Sequence, residues 1–231
     1  MAKTVDIKEL FEAGAYFGHK TGSWHPKMAG HIHSKRDGIH IINLEDTVEA
    51  IQKAQNLVEK VTKTGKTVLF VGTKSQAKDK VREIAESVGM PYVNERWMGG
   101  MLTNFSTIQQ QISKLKKLEA RMESGEIQAK YSKLEVQRFQ EQIERLNLLY
   151  GGIKNMQAAP GVVVVSDIIT DLIAIKEAKK CGIPVVGIAD TNTDPNLVDI
   201  AIPANDDAIK SIELIMSYLA SAVQDKTEAP A

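Results

Sequence analysis

The chain has 231 residues, of which 43% are hydrophobic and 25% charged, and its 29 Lys and Arg balance 29 Asp and Glu. This is the make-up of a globular protein with a substantial core. No apolar run approaches the ~20 residues that span a bilayer, and a single cysteine excludes an internal disulfide.

Aromatic residues are only 5% of the chain, so aliphatic side chains must carry the core. The start, MAKTVDIKELFEAG, lacks the features of a signal peptide, and a reducing, cytoplasmic setting is expected. Cys181, before Gly182, reads as a small buried hydrophobe rather than a catalytic thiol.

Val5 to Ala15 has the spacing of a short amphipathic helix, with Ile7, Leu10 and Phe11 on one stripe. The next segment, Phe17 to Asn43, contains all five histidines. It also holds Lys20, Lys27, Lys35 and Arg36, and Arg36-Asp37-Gly38 has the chemistry of a hairpin turn. Three readings stay open. His31 and His33 would share a strand face and, with His19 or His25, hold a metal, although the spacing matches no standard zinc pattern. Alternatively, the cations meet phosphates while Trp24 and His25 offer rings for stacking. The plainest option is a hairpin with solvated histidines and a core tryptophan.

Leu44 to Thr64 comes next as a helix, with Glu45 and Asp46 in its first turn. The run Thr67 to Val71, bounded by Gly65 and Gly72, reads as a parallel strand buried on both faces. Gly72-Thr73-Lys74 then opens a helix, the geometry that receives phosphates in nucleotide enzymes, but the spaced glycines of the known phosphate loops are missing. After the short strand Tyr92-Val93 comes NERWMGGMLTNF, in which Arg96 and Trp97 pair a phosphate-binding fork with a stacking surface. The plainer role for Trp97 is a plug that packs the root of a helical hairpin onto the sheet. Thr103 or Asn104 is placed to cap the first helix of that hairpin.

The hairpin is read from two apolar stripes, Ile108, Ile112, Leu115, Leu118, Met122 and then Val136, Phe139, Ile143, Leu146, Tyr150, separated by Ser124-Gly125-Glu126. They predict two antiparallel helical arms of roughly 20 residues, each about 30 Å long, projecting from the body as a coiled-coil hairpin. Strands are expected again at Val162 to Val165, Ile183 to Ala189 and Ile200 to Ile202, with helices at Leu172 to Cys181 and Ala208 to Val223.

Alternating strands and helices imply an α/β protein with a flavodoxin-like or Rossmann-like doubly wound, mostly parallel five-stranded sheet. The expected α/β domain spans residues 1–102 and 157–224, with its N-terminal helix and basic hairpin loop at 1–43. The inserted hairpin is 103–156 and a flexible tail 225–231. Asp167, Asp190, Asp194, Asp206 and Asp207 gather at the carboxyl edge of that sheet. They read as magnesium ligands for phosphoryl chemistry or, more plainly, as turn and cap residues. Charge is uneven along the chain: residues 1–157 carry 24 Lys and Arg against 18 Asp and Glu, and residues 158–231 carry 5 against 11. A basic side and an acidic edge are expected to face different surroundings.

The stretches FGHKTGSWHPKM, DGIHIINLEDT, VLFVGTKSQA, ERWMGGMLTNF, YGGIKNM and GIPVVGIADTNTDPNLVDIAIPANDDAIKSI occur together and in this order. In these the chain resembles the bacterial type of the ribosomal protein S2 family, from about Val5 to about Leu219. The resemblance implies an α/β body with a protruding coiled-coil hairpin, no catalysis and no cofactor. It further implies a cytoplasmic ribosomal location and contacts with 16S ribosomal RNA and neighbouring small-subunit proteins. Among those neighbours is the mRNA-binding protein built of OB repeats; neither a membrane nor a homo-oligomer is expected. The candidate RNA-binding residues are Lys20, Trp24, His25, Lys27, Lys35, Arg36, Lys74, Arg96, Trp97 and Asn104. The rival is a Rossmann-like phosphate- or nucleotide-binding enzyme using Gly72 to Lys74 with the acidic edge.

Overall fold

A computed structural model describes residues 3–223, so the tail expected at 225–231 lies outside the described residues. The main sheet is built from β4 (Val68–Val71), β5 (Tyr92–Val93), β6 (Val162–Val165), β7 (Val185–Ala189) and β8 (Ile200–Pro203). All neighbours are parallel, in the order β5-β4-β6-β7-β8. By order of appearance this is 2-1-3-4-5, the flavodoxin-like winding, and its direction reverses between β4 and β6. The apolar runs arise because both faces are covered. Val68, Phe70, Val162, Val164, Val186 and Ile202 point into one core, whereas Leu69, Val71, Val163, Val165 and Val185 point into another. Each buried aliphatic side chain of this size contributes ~2 kcal/mol, so the alternation supports both layers.

The first core is closed by α1 (Ile7–Glu12), α2 (Leu44–Lys63), α3 (Lys78–Ser87) and α8 (Ile209–Ser221). The first helix is shorter than its spacing predicts: Asp6 caps it through Lys8 N at 2.8 Å, and Gly14, with φ of 75°, ends its run. Only Leu10 of its three apolar residues is buried, and Phe11 instead stacks on Tyr16 with centroids 4.6 Å apart. The second core is closed by α7 (Leu172–Lys180), by Met28 and by the root of the arms. Cys181 sits at the end of α7 and is exposed, contrary to the expectation of a buried thiol, because it lies beyond the last inward turn of that helix.

The arms are α4 (Phe105–Glu123) and α6 (Lys133–Tyr150). Met122 at the end of α4 clusters with Phe139 early in α6, and Ile108 at the start of α4 clusters with Tyr150 at the end of α6, so the two run in opposite directions. The turn is longer than Ser124-Gly125-Glu126 suggests. A short helix, α5 (Glu126–Lys130), buries Ile127, and α6 starts only at the capping box of Ser132 and Glu135.

A second sheet, absent from the sequence expectation beyond its hairpin, is formed by β1 (Phe17–Lys20), β2 (Ile32–Arg36) and β3 (Ile39–Ile42) in the antiparallel order β1-β3-β2. Asp37 and Gly38, with φ of 51° and 77°, make the two-residue turn between β2 and β3, which needs positive φ at both positions.

Candidate nucleic-acid interface

The small sheet rests on the carboxyl edge of the large one, and its residues cross-link the two. Thr191, just after β7, receives His19 N on its Oγ1 at 2.8 Å and His25 N on its carbonyl at 2.7 Å. Gly18 permits this approach, since a Cβ there would lie 2.6 Å from Thr191 Cγ2. His19 Nδ1 meets Asp190 Oδ1 at 3.0 Å, and Lys27 Nζ meets Asp194 Oδ2 at 2.7 Å. The hydrogen bond to Asp190 raises the His19 pKa against the effect of burial. Thus the basic segment and the acidic edge, expected to face different surroundings, partly face each other.

At the point where the winding reverses, the crevice that holds ligands in this class of fold is occupied by Lys74. Its ammonium lies 2.7 Å from Asp206, 2.8 Å from Asp207 and 3.2 Å from Asp167. Burial opposes the charged form, but the bonds to Asp206 and Asp207 prevail and hold this amine above the ordinary lysine value. Lys74 is 16% exposed and its charge is met by three carboxylates, unlike the exposed cations among the candidates.

Crowding of acids has a cost here. Burial, followed by the fields of Asp167 and Asp190, pushes Asp206 up to about 7. Asp171 is likewise pushed up to about 7, chiefly by burial, although its Oδ1 accepts the Thr73 hydroxyl at 2.7 Å. A carboxyl raised in the folded state binds a proton that the unfolded chain has released, so stability falls as pH rises from about 4 to about 7 and is flat above. Asp171→Asn keeps the acceptor for Thr73. It is expected to remove a slope of up to about 1.4 kcal/mol per pH unit in that window, measured by urea unfolding at pH 5, 6, 7 and 8. Identical slopes for the two proteins would refute the assignment.

His19, Asp206 and Asp207 also place one potential ligand atom each within 4.8 Å of one another. The Lys74 ammonium already supplies positive charge to both of those carboxylates. His31 and His33, the candidates from sequence, belong to no such group among the described residues. His31 bonds Asp46 at 2.7 Å, and His33 points outward from β2.

Of the remaining candidates, Lys20, Lys35 and Arg36 are exposed. Lys20 and Arg36 pair with the same residue, Ile39, from opposite sides of β3, which sets them about 10 Å apart at two strand spacings. Trp24 is 39% exposed and lies 5.4 Å from the buried ring of His40. Both nitrogens of His40 lack hydrogen-bond partners among the described residues, and burial, then Lys35, lowers its pKa. His25 is half-buried, its Nδ1 accepting Lys27 N at 3.3 Å. Arg96 is exposed, but Trp97 is 7% exposed and packed in the second core, so the plug reading holds and the stacking surface is withdrawn. Asn104 is exposed at the N-cap of α4, where its Oδ1 accepts the Thr107 hydroxyl at 3.0 Å.

Sequence reasoning missed Glu177. From α7 it accepts Trp97 Nε1 at 3.2 Å, Gly100 N at 2.7 Å, Leu102 N at 3.0 Å, and both N and Oγ1 of Thr103 at 3.2 and 3.1 Å. One carboxylate so fastens the loop from which α4 departs, and Gly100, at φ of 90°, shapes that loop to present its N–H groups. A signal existed: Glu177 falls on the buried stripe of Ala174, Ile175 and Ala178, where an acid needs partners.

A family model described as Ribosomal protein S2 matches residues 10–226. The chain is similar to the small ribosomal subunit protein uS2 of Coprothermobacter proteolyticus, with 50% identity over 224 residues, 97% of this chain and 83% of that one. It is 49% identical over 225 residues to the protein of that name from Geotalea uraniireducens, covering 97% of this chain and 88% of that one.

Proposed function

The chain belongs to the ribosomal protein S2 family, a structural family of the small ribosomal subunit and not an enzyme, and from that premise we propose that it grips ribosomal RNA through the outer surface of its small antiparallel sheet. The observation that carries this reading is the exposed set of Lys20, Lys35 and Arg36 with Trp24. Apart from Arg36 Nε, 3.8 Å from Asp37, these cations make no ion pair among the described residues. Unengaged Lys and Arg displace condensed counterions from phosphates, and an exposed indole accepts an unstacked base. Arg96 and Asn104 extend the surface toward the root of the arms. The arms themselves are surface for neighbouring ribosomal proteins, among them the OB-repeat mRNA-binding protein expected from the family resemblance. The filling of the reversal crevice by Lys74 supports a scaffold over a nucleotide enzyme, because the cation beside Gly72 that a phosphate would use is already met by three carboxylates.

The triple replacement Lys20→Ala, Lys35→Ala, Arg36→Ala is expected to weaken binding to small subunits stripped of this protein by tenfold or more. The plot of log affinity against log salt should become shallower by up to ~2.7, at ~0.9 per phosphate contact. Lys27→Ala should leave that slope nearly unchanged, since its charge is already met by Asp194. An unaltered slope in the triple variant would refute the surface.

A further inference from the structure

The amino ends of the strands carry a feature that the small sheet does not explain. Three open clefts, of about 560, 390 and 340 Å³, meet around Asn155. The segment Gly65 to Thr67 before β4, the turn before β5 and the segment Gln157 to Ala159 before β6 form their walls, and α4 adds Gln109 and Lys116. This is the edge opposite the one on which the small sheet rests, since the bonds of that sheet go to residues just beyond β7 and β8.

Charge and polarity at this place favour a polyanion. The acids are engaged: Glu119 is held by Lys154 at 2.8 Å and by Asn147 at 2.8 Å, and Glu86 accepts the Tyr92 hydroxyl at 2.6 Å. Lys66 and Lys116, by contrast, are exposed and make no ion pair within 4 Å among the described residues. Between them lie carboxamides and main chain, beside Ile112, Tyr92 and Met156. Gln109 Nε2 donates to the Gln157 carbonyl at 2.9 Å, and Asn155 and Gln157 line the clefts. At Gly152 a Cβ would strike the Tyr92 carbonyl, so the chain there is bare backbone.

Protein interfaces centre on apolar and aromatic residues, whereas contacts to the sugar-phosphate backbone are made by Lys, Asn, Gln and main-chain groups. The clefts mix apolar side chains such as Ile112, Tyr92 and Met156 with carboxamides, main chain and the two lysines, unpaired among the described residues, and it is that unmet positive charge that favours the second kind. We propose that these joined clefts, between Lys66 and Lys116, seat a sugar-phosphate backbone segment of ribosomal RNA as a second contact on the edge opposite the small sheet. The inference rests on the ribosomal reading and deepens it: the body is held by RNA from both edges, and the root of the arms is fixed between them.

The test uses small subunits stripped of this protein and reloaded with the full chain or with Lys66→Ala/Lys116→Ala. Both residues are exposed, and an unchanged thermal midpoint confirms the fold. The double variant is expected to bind about tenfold more weakly, with a salt slope shallower by about 1.4 to 1.8 for two phosphates at ~0.7 to 0.9 each. Ultraviolet crosslinking of the unmodified complex is expected to leave nucleotide adducts on peptides containing Lys66, Lys116 or Asn155. Equal affinity and slope would overturn the proposal, as would adducts confined to residues 17–40. A zero-length crosslinker joining Lys66 and Lys116 only to carboxylates of a neighbouring protein would overturn it in favour of an acidic protein partner. If the unmodified chain itself fails to enter the subunit, the ribosomal reading falls; if it enters and the double variant matches it, only the second contact falls.

Discussion

Glu177→Ala is expected to lower the free energy of unfolding by about 3 to 5 kcal/mol, because it strands five donors, of which Trp97 Nε1 and Leu102 N are buried. Three backbone N–H groups, the Trp97 indole and the Thr103 hydroxyl converge on this carboxylate. Burial alone would raise its pKa, but the donors from Gly100, Leu102 and Thr103, with Trp97, outweigh burial and hold it below the ordinary glutamate value. A carboxylate lowered in this way stabilises the fold above the unfolded pKa of ~4.3, and the contribution is lost as pH falls through the folded value. The gap between the two proteins should therefore be full at pH 7 and close progressively below pH 4. Glu177→Gln, which keeps one oxygen but turns an NH2 toward other donors, should cost about half as much. Urea unfolding gives the energies, and amide exchange at Gly100, Leu102 and Thr103 should accelerate in both variants while the β4 and β6 amides change only with global stability. A loss under 1 kcal/mol for the alanine variant would show that the loop is held by packing alone.

How readable a part of this molecule is from sequence depends on how local its causes are. VLFV and VVVV stand out because strands covered on both faces must be apolar at every position, and Asp37-Gly38 stands out because few residues tolerate positive φ twice in succession. Strand β1 is hidden, since its four residues, FGHK, pair on one edge through an irregular register and show no alternation. The extra helix α5 is hidden behind Ser124-Gly125, which looks like a complete turn, although the Ser132 to Glu135 capping box marks where α6 truly begins. Charge is the most misleading signal. Counting acids and bases by halves suggests two surfaces of opposite sign, but Lys27 with Asp194, His19 with Asp190 and Lys74 with Asp206 bring the halves together. Such pairs bridge well over a hundred residues of chain and leave no periodicity or spacing to detect. Of the candidate cations, Lys20 and Lys35 have no ion pair among the described residues, and Arg36 has only a 3.8 Å contact with Asp37.

Lys74→Met tests whether the reversal crevice is closed by charge, and its expected cost is again about 3 to 5 kcal/mol at pH 7.5. The methionine fills similar volume, so the loss is that of the single ammonium that compensates Asp167, Asp206 and Asp207, the first two of them buried. Without it Asp206 is pushed further up and Asp167 loses a cation that holds it down, the folded state holds more protons than the unfolded one between about pH 4 and 7, and stability must rise as pH falls across that window. Acidification to pH 5 should therefore restore much of the loss, at a pH where the gap for Glu177→Ala is still nearly full. Asp206→Asn in the same chain should restore part of it at pH 7.5, and the double-mutant cycle should return a coupling of about 1 to 3 kcal/mol. Because the amine is mostly buried and already met by three carboxylates, the salt slope of RNA binding should be that of the parent wherever the variant is folded. A variant of undiminished stability whose RNA affinity fell, with a slope shallower by about 0.9, would return Lys74 to the surface and reopen the crevice as a phosphate site.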